Sequence, residues 1–218
     1  RMFYNSYFNK PVNGWDVSKV TNMKEMFRGY NNNNISYFNQ DISNWNVSNV
    51  TTMSGMFNNG TFNQDISNWN VSNVTDMSSM FYSSSFNQSL ENWDVSNVTN
   101  MDKMFSYSIF NRPIGNWNVS NVTTMRGMFT ISEFNQDISN WDVGNVTDMT
   151  QMFYYSKFNQ NISNWNVSTV TSMKEMFRYN IVFNFDLSNW NVSNVIDCKR
   201  FNLNSNISIP PLFLNCSI

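Results

Sequence analysis

The chain has 218 residues, of which only 13% are charged; its formal net charge is -2 and it contains no histidine. That balance argues against a basic footprint for nucleic acid and against a polybasic membrane anchor, and it removes the usual neutral-pH general base together with the commonest metal ligand. Aromatic residues make up 17% of the chain, which opposes disorder.

The first residues already carry a pattern. Met2-Phe3 stands before Phe8 as Met80-Phe81 stands before Phe86, so Arg1 to Phe3 read as the tail of an earlier repeat, and the sequence is expected to start inside a longer protein. No signal pattern opens it, and its apolar runs are too short to cross a bilayer. Tryptophans then recur at Trp15, Trp45, Trp69, Trp93, Trp117, Trp141, Trp165 and Trp190, in steps of 30, 24, 24, 24, 24, 24 and 25. Seven residues before each stands Phe followed by Asn, and three before each stands Val, Ile or Leu. Val follows at +2 and +5, Met at +8 and +11, and Phe at +12, until Cys198, Phe201 and Asn202 replace the last three. Insertions fall between the Met-Phe pair and the next Phe-Asn, as in "RGYNNNNISY", which marks that connection as a surface loop. Residues 1–201 thus read as one domain of eight repeats, and residues 202–218 as a C-terminal cap or tail.

Within a repeat, Ile42, Trp45 and Val47 have the spacing of a leucine-rich-repeat strand, with Asn46 on the opposite face. Thr51 then serves as an N-cap, and Met53, Met56 and Phe57 at i, i+3 and i+4 make the apolar stripe of a short helical turn. One such unit cannot cover its own apolar face, whereas stacked units can. The expected fold is a leucine-rich-repeat-like solenoid of about eight coils, with parallel short strands on one face and helical turns on the other, stacked at about 4.8 Å. The Asn after each repeated Phe is expected to satisfy the backbone of a bend and of the next coil.

Residues 62 to 81, "FNQDISNWNVSNVTDMSSMF", and their copies resemble the repeats of the BspA-like surface-protein family, which includes surface lipoproteins of mycoplasmas. The resemblance covers residues 2 to about 201. It implies a leucine-rich-repeat-like extracellular or surface domain with adhesive or binding roles, and it brings no catalytic residues with it.

The outward positions after each Trp, Asp16, Asn46, Asn70, Asp94, Asn118, Asp142, Asn166 and Asn191, form a candidate binding column for a glycan, a protein or another periodic partner. The alternative is a solvated ladder that keeps this face polar. The acidic residues Asp41, Asp65, Asp137 and Asp186 are replaced by Pro11, Ser89, Pro113 and Asn161 in other copies, so no repeated calcium cage is written here. No metal, cofactor or nucleic-acid partner is expected. Asn-x-Ser/Thr sequons are abundant as a by-product of the repeat, leaving loop sites such as Asn34 and Asn59 as candidate glycosylation acceptors. Cys198 and Cys216 read as a disulfide closing the cap, or Cys198 as a buried thiol in place of a core Met. The function expected is that of a non-enzymatic surface or secreted adhesin or interaction module binding protein or glycan, without membrane insertion of this segment. The alternative is a structural subunit whose coils stack end to end into an extracellular fibre or sheath.

Overall fold

The structure, a computed structural model, describes residues 2–30 and 35–217. Successive copies lie on one another in register through single parallel bridges, from Asn22 with Thr52 and Thr52 with Asp76 to Ser172 with Asp197. Among the described residues there is neither a helix nor an extended strand. Each copy is a chain of tight turns.

The segment expected as a strand bends twice. Trp45 N–H donates to Ile42 O at 3.1 Å and Val50 N–H to Val47 O at 2.9 Å. The cause is local: Asp41 Oδ1 accepts Ser43 N–H at 2.9 Å and Asn46 Oδ1 accepts Ser48 N–H at 3.2 Å. An Asx oxygen that captures the backbone two residues on holds it in a turn and away from extension. A third turn of this kind follows at the bridge position, where Asp76 Oδ1 accepts Ser78 N–H at 2.9 Å.

The segment expected as a helical turn is a ribbon of turns, whose alternate N–H groups leave the copy. Met53, Gly55, Phe57 and Asn59 donate to Asp76, Ser78, Met80 and Tyr82 O at 2.8–3.0 Å, while Met56 N–H folds back to Met53 O. This alternation requires a left-handed residue ten positions after each Trp. Gly55 and Gly127 supply it without cost at φ +64° and +61°, but Ser79, Lys103, Gln151 and Glu175 adopt φ of 55–58° with full side chains. Each such residue stores about 1 kcal/mol or more of strain.

Met53, Met56 and Phe57 are fully buried all the same, because the same spacing puts them inward in either conformation. Two phenylalanine stacks run side by side through the core. Phe105 lies 4.1 Å from Phe110, which opens the next copy, and 5.7 and 6.0 Å from its equivalents Phe81 and Phe129 in the copies on either side. These offset stacks are the favourable aromatic geometry. The seven tryptophans from Trp45 on are 3–4% exposed, and each indole N–H donates to a carbonyl of the copy before it, as Trp117 does to Leu90 O at 2.9 Å. Trp15 has no described copy before it and is 41% exposed.

The repeated Asn forms a third stack. Asn63 N–H donates to Asn39 Oδ1, Asn87 to Asn63, Asn111 to Asn87 and Asn135 to Asn111, at 2.8–3.0 Å. Gln136 Nε2 adds a second bond to Asn111 Oδ1 at 3.0 Å. The stack stops at the 25-residue step: Asn159 Oδ1 is buried and accepts nothing. Asn111→Leu removes the acceptor of two bonds while leaving the N–H of Asn135 to find water, and it is expected to lower stability by about 1–2 kcal/mol in urea unfolding; an unchanged midpoint refutes this role.

At the two ends the chain closes on its neighbours. Phe3 N–H donates to Met26 O at 2.9 Å, the bond that Phe27 makes to Met56 O, so Phe3 holds a repeat position. The tail returns along the last copy: Leu187 N–H donates to Ile209 O at 2.9 Å, Phe213 meets Phe201 edge-on at 5.0 Å, and Cys198 is disulfide-bonded to Cys216.

Candidate functional site

The stack has two surfaces that differ in what their polar groups are free to do, one exposed in every copy and one exposed in some copies and buried in others. The column after Trp, comprising Asp16, Asn46, Asn70, Asp94, Asn118, Asp142, Asn166 and Asn191, is exposed throughout. Its Oδ1 atoms are occupied locally, however. Asn70 Oδ1 accepts both the N–H and the hydroxyl of Ser72, at 3.1 and 2.7 Å, and Asp142 Oδ1 accepts Gly144 N–H at 3.0 Å. The next two columns are committed to the stack. Asn73, Asn97, Asn121 and Asn145 donate Nδ2 to a Ser carbonyl of the preceding copy at 2.7–2.8 Å, and Thr75, Thr99 and Thr123 donate Oγ1 to the preceding Thr carbonyl at 3.1–3.2 Å. This face holds the coils together.

The carboxylates on these corners follow the same logic. The backbone N–H and then the hydroxyl of Ser67 hold Asp65 below the usual carboxylate range, as Ser139 does for Asp137; at Asp94 the hydroxyl of Ser96 leads. With the folded pKa depressed, the unfolded chain binds more protons in acid. The associated stability is present above the unfolded value and is lost as pH falls through the folded one. The melting temperature is therefore expected to be level from pH 7 to 5 and to fall below about pH 4, a trend that thermal scans in matched ionic strength will read.

The sequons split along the same line. In Asn49, Asn73 and their equivalents the acceptor nitrogen is already bonded to the neighbouring copy. Asn59, expected as an exposed loop acceptor, is instead 6% exposed, left-handed at φ +51°, and donates Nδ2 to Asn58 Oδ1 at 2.8 Å. Its place in the turn ribbon, whose N–H must reach Tyr82 O, buries it. Asn34 lies outside the described residues. Among the described residues no three His, Cys, Asp or Glu side chains come together as a metal site, and no helix is long and apolar enough to cross a membrane.

The second surface is the outer edge of the turn ribbon, at 9, 10, 13 and 14 residues after Trp. None of the candidate binding residues read from the sequence stands on it. Unlike the Val at +5, which is the same in all eight copies, these positions differ from copy to copy. Tyr107 and Tyr155 are 49% and 60% exposed. Arg178 lies over the Tyr179 ring at 4.8 Å and the Tyr154 ring at 5.8 Å, and donates to Glu175 Oε1 at 2.7 Å. Gln151 Nε2 donates to Glu175 Oε2 at 2.7 Å, and Arg200 approaches Glu175 at 3.5 Å. Burial pushes Glu175 up, but the bonds from Gln151 and Arg178 outweigh it and hold the carboxyl low. Two shallow grooves meet at Gln151: one of about 200 Å3 lined by Arg126, Lys174, Lys199 and Arg200, and one of about 280 Å3 lined by Tyr82, Lys103, Tyr107 and Tyr154. The signal available in the sequence was the variability itself, confined to fixed offsets from Trp.

A chain built of register-stacked copies, with fixed interior residues and one variable edge, is a repeat protein. It belongs to the family described as Mycoplasma protein of unknown function, DUF285, which matches residues 1–108, 59–157 and 131–207. No curated protein and no solved structure matches the chain.

Proposed function

We propose that the chain is a non-enzymatic interaction module: a leucine-rich-repeat-like, BspA-like solenoid displayed at a surface or secreted, which binds a protein or glycan partner through the edge of its turn ribbon. The observation that carries this reading is that the left-handed positions the ribbon requires are filled mostly by residues other than glycine. Ten residues after Trp, where glycine is relaxed, Glu25, Ser79, Lys103, Gln151, Glu175 and Arg200 hold φ between 54° and 58°. Backbone strain of about 1–3 kcal/mol tends to persist where the side chain it presents is used. Exposed tyrosines beside these residues add the rigid amphipathic contact area that interfaces favour. The column after Trp serves as a turn-forming ladder in this reading.

The test is binding of fluorescently labelled chain to intact animal cells, together with antibody labelling of unpermeabilised producing cells. Replacing Tyr107 and Tyr155 by Ser is expected to abolish cell binding, and replacing Asn118 and Asn166 by Ser to leave it intact. The opposite ranking moves the site to the Asn column. Absence of both cell binding and surface labelling refutes the module.

A further inference from the structure

Most of the cations of this chain share the ribbon edge. Lys24, Lys103, Arg126, Lys174, Lys199 and Arg200 all stand nine or ten residues after a Trp, on the ribbon edge, whereas acids such as Asp65, Asp94 and Asp137 stand on the turns flanking the Trp. The carboxylates that do reach the ribbon are already used: Glu25 is paired with Arg28, Glu175 with Arg178, and Asp102 accepts the Arg126 N–H at 2.9 Å and the Thr124 hydroxyl. In the groove of about 200 Å3, which Glu175 also lines, that leaves Arg126, Lys174 and Lys199 with no ion pair or side-chain hydrogen bond among the described residues; Arg126 stands two coils before Lys174, with Thr150 at the same offset between them, and Lys199 one coil after it. Cations thus outnumber the one carboxylate of this groove, Glu175, on a chain whose net charge is -2, a local excess that a bound anion relieves.

We propose that this groove binds an acidic polysaccharide, its sulfates or carboxylates taken by Arg126, Lys174 and Lys199 and its sugar rings laid on Tyr154 and Tyr107; the proposal rests on the interaction-module reading above and names its ligand class. Three features select the class. Arg and Lys on separate coils meet charges repeated along a chain, with the Arg fork matching an oxyanion in two bonds. Gln151, which lines both grooves and donates Nε2 to Glu175, presents its Oε1 as an acceptor for a hydroxyl. The groove is continuous through Gln151 with the tyrosine groove, so a ligand that follows the edge passes from charge to ring faces, the apolar platforms that sugars use.

The experiment uses the whole chain on immobilised heparin as the sulfated probe, with dextran as the neutral one and polyglutamate as an acidic-peptide competitor. Heparin is expected to retain the chain at low salt and release it as salt screens the contacts, and dextran not to retain it. The double variant K174E/K199E, checked for an unchanged melting temperature, is expected to lose about tenfold or more in affinity, while K19E/K157E, whose cations lie off the ribbon, keeps it. Equal loss in both variants, or none in the first, overturns the site; polyglutamate competing as well as heparin overturns the glycan assignment. Cell binding that persists without heparin binding defeats this ligand class and leaves the module standing, whereas loss of both defeats the module as well.

Discussion

Phe105→Ala will destabilise the protein by roughly 3–5 kcal/mol. The ring is fully buried and meets four others, Phe110 at 4.1 Å, Phe81 at 5.7 Å, Phe129 at 6.0 Å and Trp117 at 6.4 Å. Deleting it opens a cavity at the middle of the array, and the ladder of backbone bonds on either side resists collapse into it. In a nearest-neighbour stack the loss also weakens the coupling between the two halves. Urea unfolding followed by tryptophan fluorescence should therefore show a lower midpoint and a broader or divided transition. A sharp transition at the native midpoint defeats the reading of the Phe stacks as the main cohesive element.

Cys216→Ser should act elsewhere and by another route. The disulfide to Cys198 spans a separation of 18 residues, and opening a loop of that size releases about 3 kcal/mol of constraint in the chain-entropy account. Cys198 stays buried as a small apolar thiol, so the core is undisturbed. The loss is expected in the returning tail and the last coil, where hydrogen exchange at Leu187 and Asn206 will quicken while Phe81 and Phe105 keep their protection. Reduction of the native protein should reproduce the variant. If exchange rises uniformly along the chain, the bond supports the whole array instead of its end.

The sequence made the period, the inward residues and the stacking of the Asn legible, because apolar spacing and a recurring amide report directly on what must be buried or paired. It did not make the backbone legible. Met53, Met56 and Phe57 fit a helical stripe, and Ile42, Trp45 and Val47 a strand, yet in the structure both segments are turns. The deciding groups were the Asx oxygens of Asp41, Asn46 and Asp76; the sequence had Asn46 as a candidate binding residue and Asp41 as a possible calcium ligand, and neither as a turn former. The exposed column was placed correctly on the surface, but only the partners of its Oδ1 atoms reveal how far it is used up within the fold. The ribbon edge was hidden for the converse reason: its variable residues carry no pattern, and their left-handed backbone is invisible until the alternate N–H groups are seen to leave the copy.

That departure has a directional consequence. In the ribbon every N–H that leaves its copy points to the following one, Met125, Gly127, Phe129 and Ile131 to Asp148, Thr150, Met152 and Tyr154, and Met173 to Tyr179 likewise to Asp197 through Leu203. Peptide dipoles so aligned add along the stack as they do along a helix axis, except that here four parallel rows run through space between copies that are distant in sequence. Their positive pole faces the last coil. The row through Thr75, Thr99, Thr123 and Thr147 runs the other way and offsets part of this field, and Lys174, Lys199 and Arg200 stand towards the positive pole that the other four rows leave.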